Sequence, residues 1–199
     1  MGAAWRRSVP AALAGLLIAA AASAEPHTRN GLCLGLGFGL ESVSWTDADG
    51  DRNVEGSGTG NARAGYAIKP DLVLGIEFWG WAKDYEISTT TLPVPVDVRL
   101  TATTIGVTYF PGNAGFFVRL GAGIAYGRIE VNPPPSVDSV AADAEADTGI
   151  AVALAPGYEW RLTPKFALGA QGDIVYLGLG GALEDAFGYG LNAQFNWYW

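Results

Sequence analysis

The chain has one cysteine, one histidine and few charges, with Asp, Glu, Lys and Arg making up 16% of its 199 residues. A lone cysteine, Cys33, excludes an intrachain disulfide and reads as a buried, inert thiol. The segment Asn30-Gly31-Leu32-Cys33 lacks the Leu-small-small-Cys form of a bacterial lipoprotein signal. A lone histidine, His27, leaves little for imidazole-based catalysis. Beyond residue 24 no uninterrupted apolar run reaches the ~20 residues of a membrane-spanning helix. Basic residues are also scarce, 12 against 20 acidic ones, for a net charge of −8. An acidic chain repels phosphate backbones, so no nucleic acid is expected as a partner.

The first 24 residues read as a cleavable signal peptide. Arg6 and Arg7 precede an apolar stretch over residues 11–22, which closes on Ala22-Ser23-Ala24. That stretch is too short to span a bilayer as a helix. The expected mature chain, residues 25–199, loses both arginines and carries 10 basic against 20 acidic residues, a net charge of −10.

In the rest of the chain the dominant period is two, the mark of strands with two different faces. In the last segment Phe187, Tyr189, Leu191, Ala193, Phe195, Trp197 and Trp199 alternate with Gly188, Gly190, Asn192, Gln194, Asn196 and Tyr198. In the first, Leu32, Leu34, Leu36, Phe38 and Leu40 alternate with glycines and Cys33. Further strands are expected over 59–68, 72–81, 96–109, 116–127, 148–160 and 166–176, eight in all. The phase blurs near Thr103–Thr104, which admits a bulge.

The connections alternate long and short. Lys69-Pro70-Asp71, Pro111-Gly112-Asn113-Ala114-Gly115 and Thr163-Pro164-Lys165 are tight turns. Segments 46–58, 82–95, 130–147 and 177–185 are longer and more polar. Aromatics gather at strand ends. Trp79, Trp81, Tyr126, Tyr176, Phe187 and Tyr189 lie near long loops; Tyr66, Tyr109, Phe110, Phe116, Tyr158, Trp160, Trp197 and Trp199 lie near short turns. The ten steps from Phe187 to Trp197 span ~33 Å along a strand, or ~25 Å at a tilt of ~40°, the height of a barrel's apolar band. The expectation is an all-β, eight-stranded, antiparallel up-and-down transmembrane barrel with both ends of the mature chain in the periplasm.

The chain resembles the small Gram-negative outer-membrane barrels, including OmpA-like and opacity-type proteins. The carriers are Gly65-Tyr66-Ala67-Ile68-Lys69-Pro70-Asp71, Phe117-Val118-Arg119-Leu120-Gly121-Ala122-Gly123-Ile124-Ala125-Tyr126 and Phe195-Asn196-Trp197-Tyr198-Trp199. The resemblance implies that Phe195, Trp197 and Trp199 form a recognition signal for the barrel-assembly machinery, with Trp199 in place of the usual Phe. It implies outer-membrane lipid and lipopolysaccharide as surroundings, and an unidentified extracellular ligand on the long loops.

With the apolar face outward, Asn61, Arg63, Glu77, Arg119, Glu159, Gln171 and Asp173 point inside, where buried charges must pair. Arg63 and Glu77 flank one hairpin symmetrically and are expected to pair; Arg119 is matched to Glu159 or Asp173. Asp47-Ala48-Asp49-Gly50-Asp51 suggests a calcium loop, but Arg52 stands where glycine is required and Gly58 where the last acid is required, so an acidic solvated loop is read instead. Asp138, Asp143, Glu145 and Asp147 are read in the same way. Gly35-Leu36-Gly37-Phe38-Gly39 and Gly178-Leu179-Gly180-Gly181 lack the strand-to-helix context of a phosphate loop. No metal, cofactor or catalytic residue is indicated. Lipid A deacylases and palmitoyltransferases of this fold use a histidine at the membrane face, and His27 lies at the other end. The leading expectation is a non-enzymatic envelope barrel, either structural, a carrier of surface loops, or a minor solute channel. The alternatives are a lipid-modifying membrane enzyme and a soluble periplasmic ligand-binding barrel.

Overall fold

A computed structural model describes residues 29–47, 52–88, 93–131, 145–180 and 183–199. Its strands are β1 (Gly31–Asp47), β2 (Arg52–Lys69), β3 (Leu72–Ser88), β4 (Pro93–Tyr109), β5 (Phe116–Val131), β6 (Glu145–Thr163), β7 (Phe166–Gly178) and β8 (Leu183–Tyr198). They pair in chain order into a closed antiparallel barrel, with β8 returning to β1. Closure leaves no sheet edge, so the backbone groups are satisfied within the wall, as hydrocarbon surroundings demand.

One end of the barrel, the turn end, carries the tight connections, including a single 3-10 turn at Pro111–Asn113, and both ends of the described chain. The other, the loop end, carries the longer connections. The strands run further than the alternation indicates. Most of 46–58, 82–95 and 177–185, read as loop, is strand. About ten tilted residues cross a membrane, and β6 has 19. The surplus projects at the loop end.

There the polarity of the wall inverts. On β4 the outward residues near the turns are Tyr109, Val107 and Ile105, and those near the loops are Thr101, Arg99 and Asp97. The inward residues run the opposite way, from Thr108 and Thr104 to Ala102, Leu100, Val98 and Val96. This inversion is what blurs the phase at Thr103–Thr104. No bulge is present there, because the ladders to β3 and β5 continue without a register shift. The shifts that do occur lie near strand ends, at Trp45/Asp47, Ala67/Lys69 and Arg161/Thr163.

Lipid-facing aromatics form two bands. Tyr126, Tyr176, Phe187 and Tyr189 are exposed toward the loop end, and Tyr66, Tyr109, Phe116 and Trp199 toward the turn end. Trp79, Trp81 and Phe110 do not belong to these bands. All three point inward and are buried, Trp79 and Trp81 within the apolar cluster of the loop end and Phe110 against Phe117 and the Arg29 guanidinium.

Two backbone features shape the wall. Gly65, Gly75, Gly106 and Gly121 are successive register partners across β2 to β5. A Cβ on Gly75 would lie 2.6 Å from the Ala64 carbonyl oxygen, so the wall creases there to a degree that only glycine permits. On β6 the ladder to β7 skips from Leu154↔Ile174 to Gly157↔Gln171. Pro156, which has no N–H to donate, lies within that interruption.

Candidate functional site: the barrel lumen

At the turn end the centre of the lumen is Glu159, whose side chain is fully buried. It accepts hydrogen bonds from Arg29 (Nε at 3.0 Å, Nη2 at 2.6 Å), from the Tyr198 hydroxyl at 2.6 Å and from Asn196 Nδ2 at 3.0 Å. Arg161 Nε lies 3.4 Å from the same carboxylate. The two guanidiniums also stack, Arg29 at 3.4 Å from the Phe110 ring centroid and Arg161 at 3.8 Å from that of Tyr198. Arg29 precedes β1. It enters the mouth because Gly31, at φ +73°, turns the chain inward, and its Nη2 also donates to the Ala114 carbonyl at 3.0 Å. A buried carboxylate is tolerable only when its charge and lone pairs are met, and here two cations and two neutral donors meet them.

The middle layer is polar and continuous with the first. Arg63 donates to Asn196 Oδ1 and to Gln171 Oε1. Arg119 Nη1 donates to Gln171 Oε1 at 2.9 Å and to Glu77 Oε2 at 2.8 Å, and its Nε donates to the Thr108 hydroxyl at 3.1 Å. Gln171 Nε2 and Asn192 Nδ2 both donate to Asp173. Gln194 Nε2 reaches Asn61 Oδ1 at 3.4 Å. These side chains extend toward the glycine crease and leave a cavity of about 50 Å³ beside it, bordered by Arg63, Glu77, Arg119 and Asp173. That is room for one or two water molecules.

The loop-end layer is apolar. Val43, Trp45, Trp79, Trp81, Val96, Val98, Leu100, Leu177, Leu179 and Leu183 form one buried cluster closed by alanines. The boundary with the polar layer is bridged by Trp79, whose Nε1 donates to Glu41 Oε2 at 2.9 Å.

Of the seven residues read as interior, Asn61, Arg119, Glu159, Gln171 and Asp173 are buried, and Arg63 and Glu77 are partly so, beside the cavity. The expected pairings differ. Arg63 and Glu77 are register partners but form no ion pair, because Glu77 is held by Arg119. Arg119 bonds neither Glu159 nor Asp173; Arg29 and Arg161 take Glu159. The sequence reading missed Arg29, Arg161, Glu41, Tyr198 and the amides Asn192, Gln194 and Asn196. The β8 amides were visible on its even face, and Glu41 and Arg161 lie one residue past the expected strand ends. Nothing periodic marks Arg29. Asp147, read as a solvated loop acid, is buried and accepts a hydrogen bond from the Leu183 amide at 3.0 Å. Leu179, read as part of a polar loop, packs in the apolar cluster. His27, Asp138, Asp143 and residues 48–51 lie outside the described residues. Among the described residues no group of three or more His, Cys, Asp or Glu side chains is placed to hold a metal.

Residues 9–195 match the family model described as outer membrane protein beta-barrel domain. No curated protein matches the sequence. Among solved structures, the chain is similar to Ail, the attachment invasion locus protein of Yersinia pestis, in complex with the heparin analogue sucrose octasulfate. That likeness has a TM-score of 0.58 and 14% identity, covering 84% of this chain and 99% of that one. Neisserial surface protein A (NspA) aligns with a TM-score of 0.51 and 15% identity, covering 83% and 97%. At such identities the likeness concerns the fold.

Proposed function

The chain belongs to the outer membrane protein β-barrel domain family, and from that premise we propose that it is a closed, non-conducting barrel that anchors a loop-end surface outside the cell. The observation that carries this reading is the blocking of the lumen at both ends, with a cavity of only about 50 Å³ between them. The Arg29–Glu159–Arg161 cluster blocks one mouth, and the apolar cluster around Trp81 and Leu100 blocks the other. An open solute path needs a wet, polar track from end to end, and an eight-stranded barrel is just wide enough for side chains to fill it.

The same blocking argues against catalysis. Among the described residues the buried interior acids are Glu41, Asp147, Glu159 and Asp173, each at most 8% exposed, and each lies within or between the two blocking clusters. An acid or base must come within hydrogen-bond reach of its substrate. The role is therefore structural or one of surface presentation. In this reading residues 1–24 are removed on export, both ends of the mature chain are periplasmic, and Phe195, Trp197 and Trp199 mark the last strand for the assembly machinery. The tight turns suit the periplasmic side and the longer connections the outside.

Planar bilayer recording of the refolded protein tests this proposal. Wild-type protein is expected to give no discrete steps, and Arg29→Ala is expected to stay silent because the loop-end cluster remains. Steps from the wild-type barrel would overturn the closed reading. Protease shaving of intact cells tests orientation, with cleavage expected at the loop end and none at the tight turns.

A further inference from the structure

We propose that Arg99 and Arg128 form a binding site for the phosphate of an outer-leaflet glycolipid. The site rests on the orientation above, with the loop end outside. The two arginines are direct cross-strand partners on β4 and β5, and both are exposed on the outward face. Like charges placed directly opposite are destabilising unless an anion joins them. Glu130 pairs with Arg128 at 2.5 Å, but among the described residues no ion pair is found for Arg99.

Their height on the barrel identifies the anion. Below them the outward face of β5 runs Phe116, Val118, Leu120, Ala122, Ile124 and Tyr126, and that of β4 runs Tyr109, Val107, Ile105, Thr103 and Thr101, with no charge. From Tyr109 to Arg99 is ~33 Å of strand, or ~25 Å at a tilt of ~40°, so the arginines stand at the upper edge of the apolar band. The next row up is acidic, with Asp84 opposite Asp97 and Asp97 opposite Glu130. The vertical order is thus apolar, aromatic or threonine, arginine, acid. A polyanion descending from solvent meets the acids first. A lipid phosphate beside the barrel meets the arginines first, with its acyl chains against Ile124, Leu120 and Ile105. A planar guanidinium suits phosphate because it offers two parallel donors.

Native mass spectrometry of the refolded protein in neutral detergent tests the site, with diphosphoryl lipid A and its dephosphorylated form as probes. Wild-type protein is expected to retain the diphosphoryl form preferentially. Arg99→Gln/Arg128→Gln is expected to weaken that binding about 25-fold, at roughly fivefold per arginine near an anionic surface. Arg52→Gln, which removes another outward basic residue elsewhere on the loop end, is expected to leave it unchanged. Heat-modifiable migration confirms that each variant is folded. Equal retention of the dephosphorylated lipid, or wild-type binding by the double variant, would overturn the proposal. So would displacement of the lipid by millimolar inorganic phosphate with no dependence on acyl chains, which would make the site a free-phosphate site. Detergent solution is indifferent to orientation, so failure here refutes the site, whereas failure of cell-surface proteolysis refutes only the placement it rests on.

Discussion

Replacing Glu159 by Gln removes one charge from the lumen and almost no volume. The carboxylate accepts four hydrogen bonds and faces two guanidiniums, with its side chain fully buried. The amide keeps one acceptor oxygen, but its NH₂ points at donors, and Arg29 and Arg161 are left buried without an anion. Removing one partner of a buried ionic cluster costs ~3–5 kcal/mol. With a urea dependence of ~2 kcal/mol per molar, the unfolding midpoint should fall by ~2 M. The assay is reversible urea unfolding in phospholipid vesicles, followed by tryptophan fluorescence. The double variant Glu159→Gln/Arg29→Gln removes one of the stranded cations and should recover ~1 kcal/mol or more, since members of one network are not additive. A midpoint within ~0.5 M of wild type, or a double variant no more stable than the single one, would mean that the charges are solvated or merely fill space, and the account of the turn-end block would be wrong.

Gly75→Ala should cost ~1–3 kcal/mol in the same assay, because the added methyl meets the Ala64 carbonyl and the crease has to open. Gly60→Ala, where an added Cβ meets nothing closer than 3.7 Å, should stay within ~0.5 kcal/mol of wild type. Trp199→Ala should lower the amount of folded protein in the outer membrane several-fold while moving the melting temperature of purified barrels by only ~2–3 °C. The reason is that Trp199 is half-exposed and its structural contact, the backbone N–H to the Leu32 carbonyl at 3.0 Å, survives in alanine. Quantitative blotting of membrane fractions beside a thermal melt separates the two effects.

The barrel was legible because lipid on one side and a narrow lumen on the other impose a strict period of two. Leu32 to Leu40 and Phe187 to Trp197 show it without exception. Strand count, turn positions and which face meets lipid follow from that period. The partners inside the lumen do not follow from it. Arg63 and Glu77 are register partners, yet Arg119 on β5 takes the carboxylate. Side chains that cross a lumen choose among several walls, whereas pairing rules describe only neighbours on one wall. Arg29 lies outside every strand, and its burial depends on one left-handed glycine at position 31.

The other failure of the periodic reading has a single cause, visible on β4. Within lipid the outward residues must be apolar, and packing the interior gains nothing from excluding water at the outer wall, so polar side chains can fill the lumen by bonding one another. Above the lipid the outer wall is wet. There the strands hold together as in a water-soluble barrel, with an apolar interior and a polar exterior. The inner face of β4 changes between Thr104 and Ala102, and its outer face changes between Ile105 and Thr101. The two changes coincide because both answer to one surface, the upper boundary of the bilayer. An alternation rule that assumes one solvent outside the strand misplaces the apolar residues beyond that boundary, such as Val96, Val98 and Leu100, which face the lumen. The same coincidence turns the error into a measurement. The plane where inner and outer polarity exchange marks the edge of the hydrocarbon on the barrel wall, and Arg99 and Arg128 stand just above it, at the headgroup level.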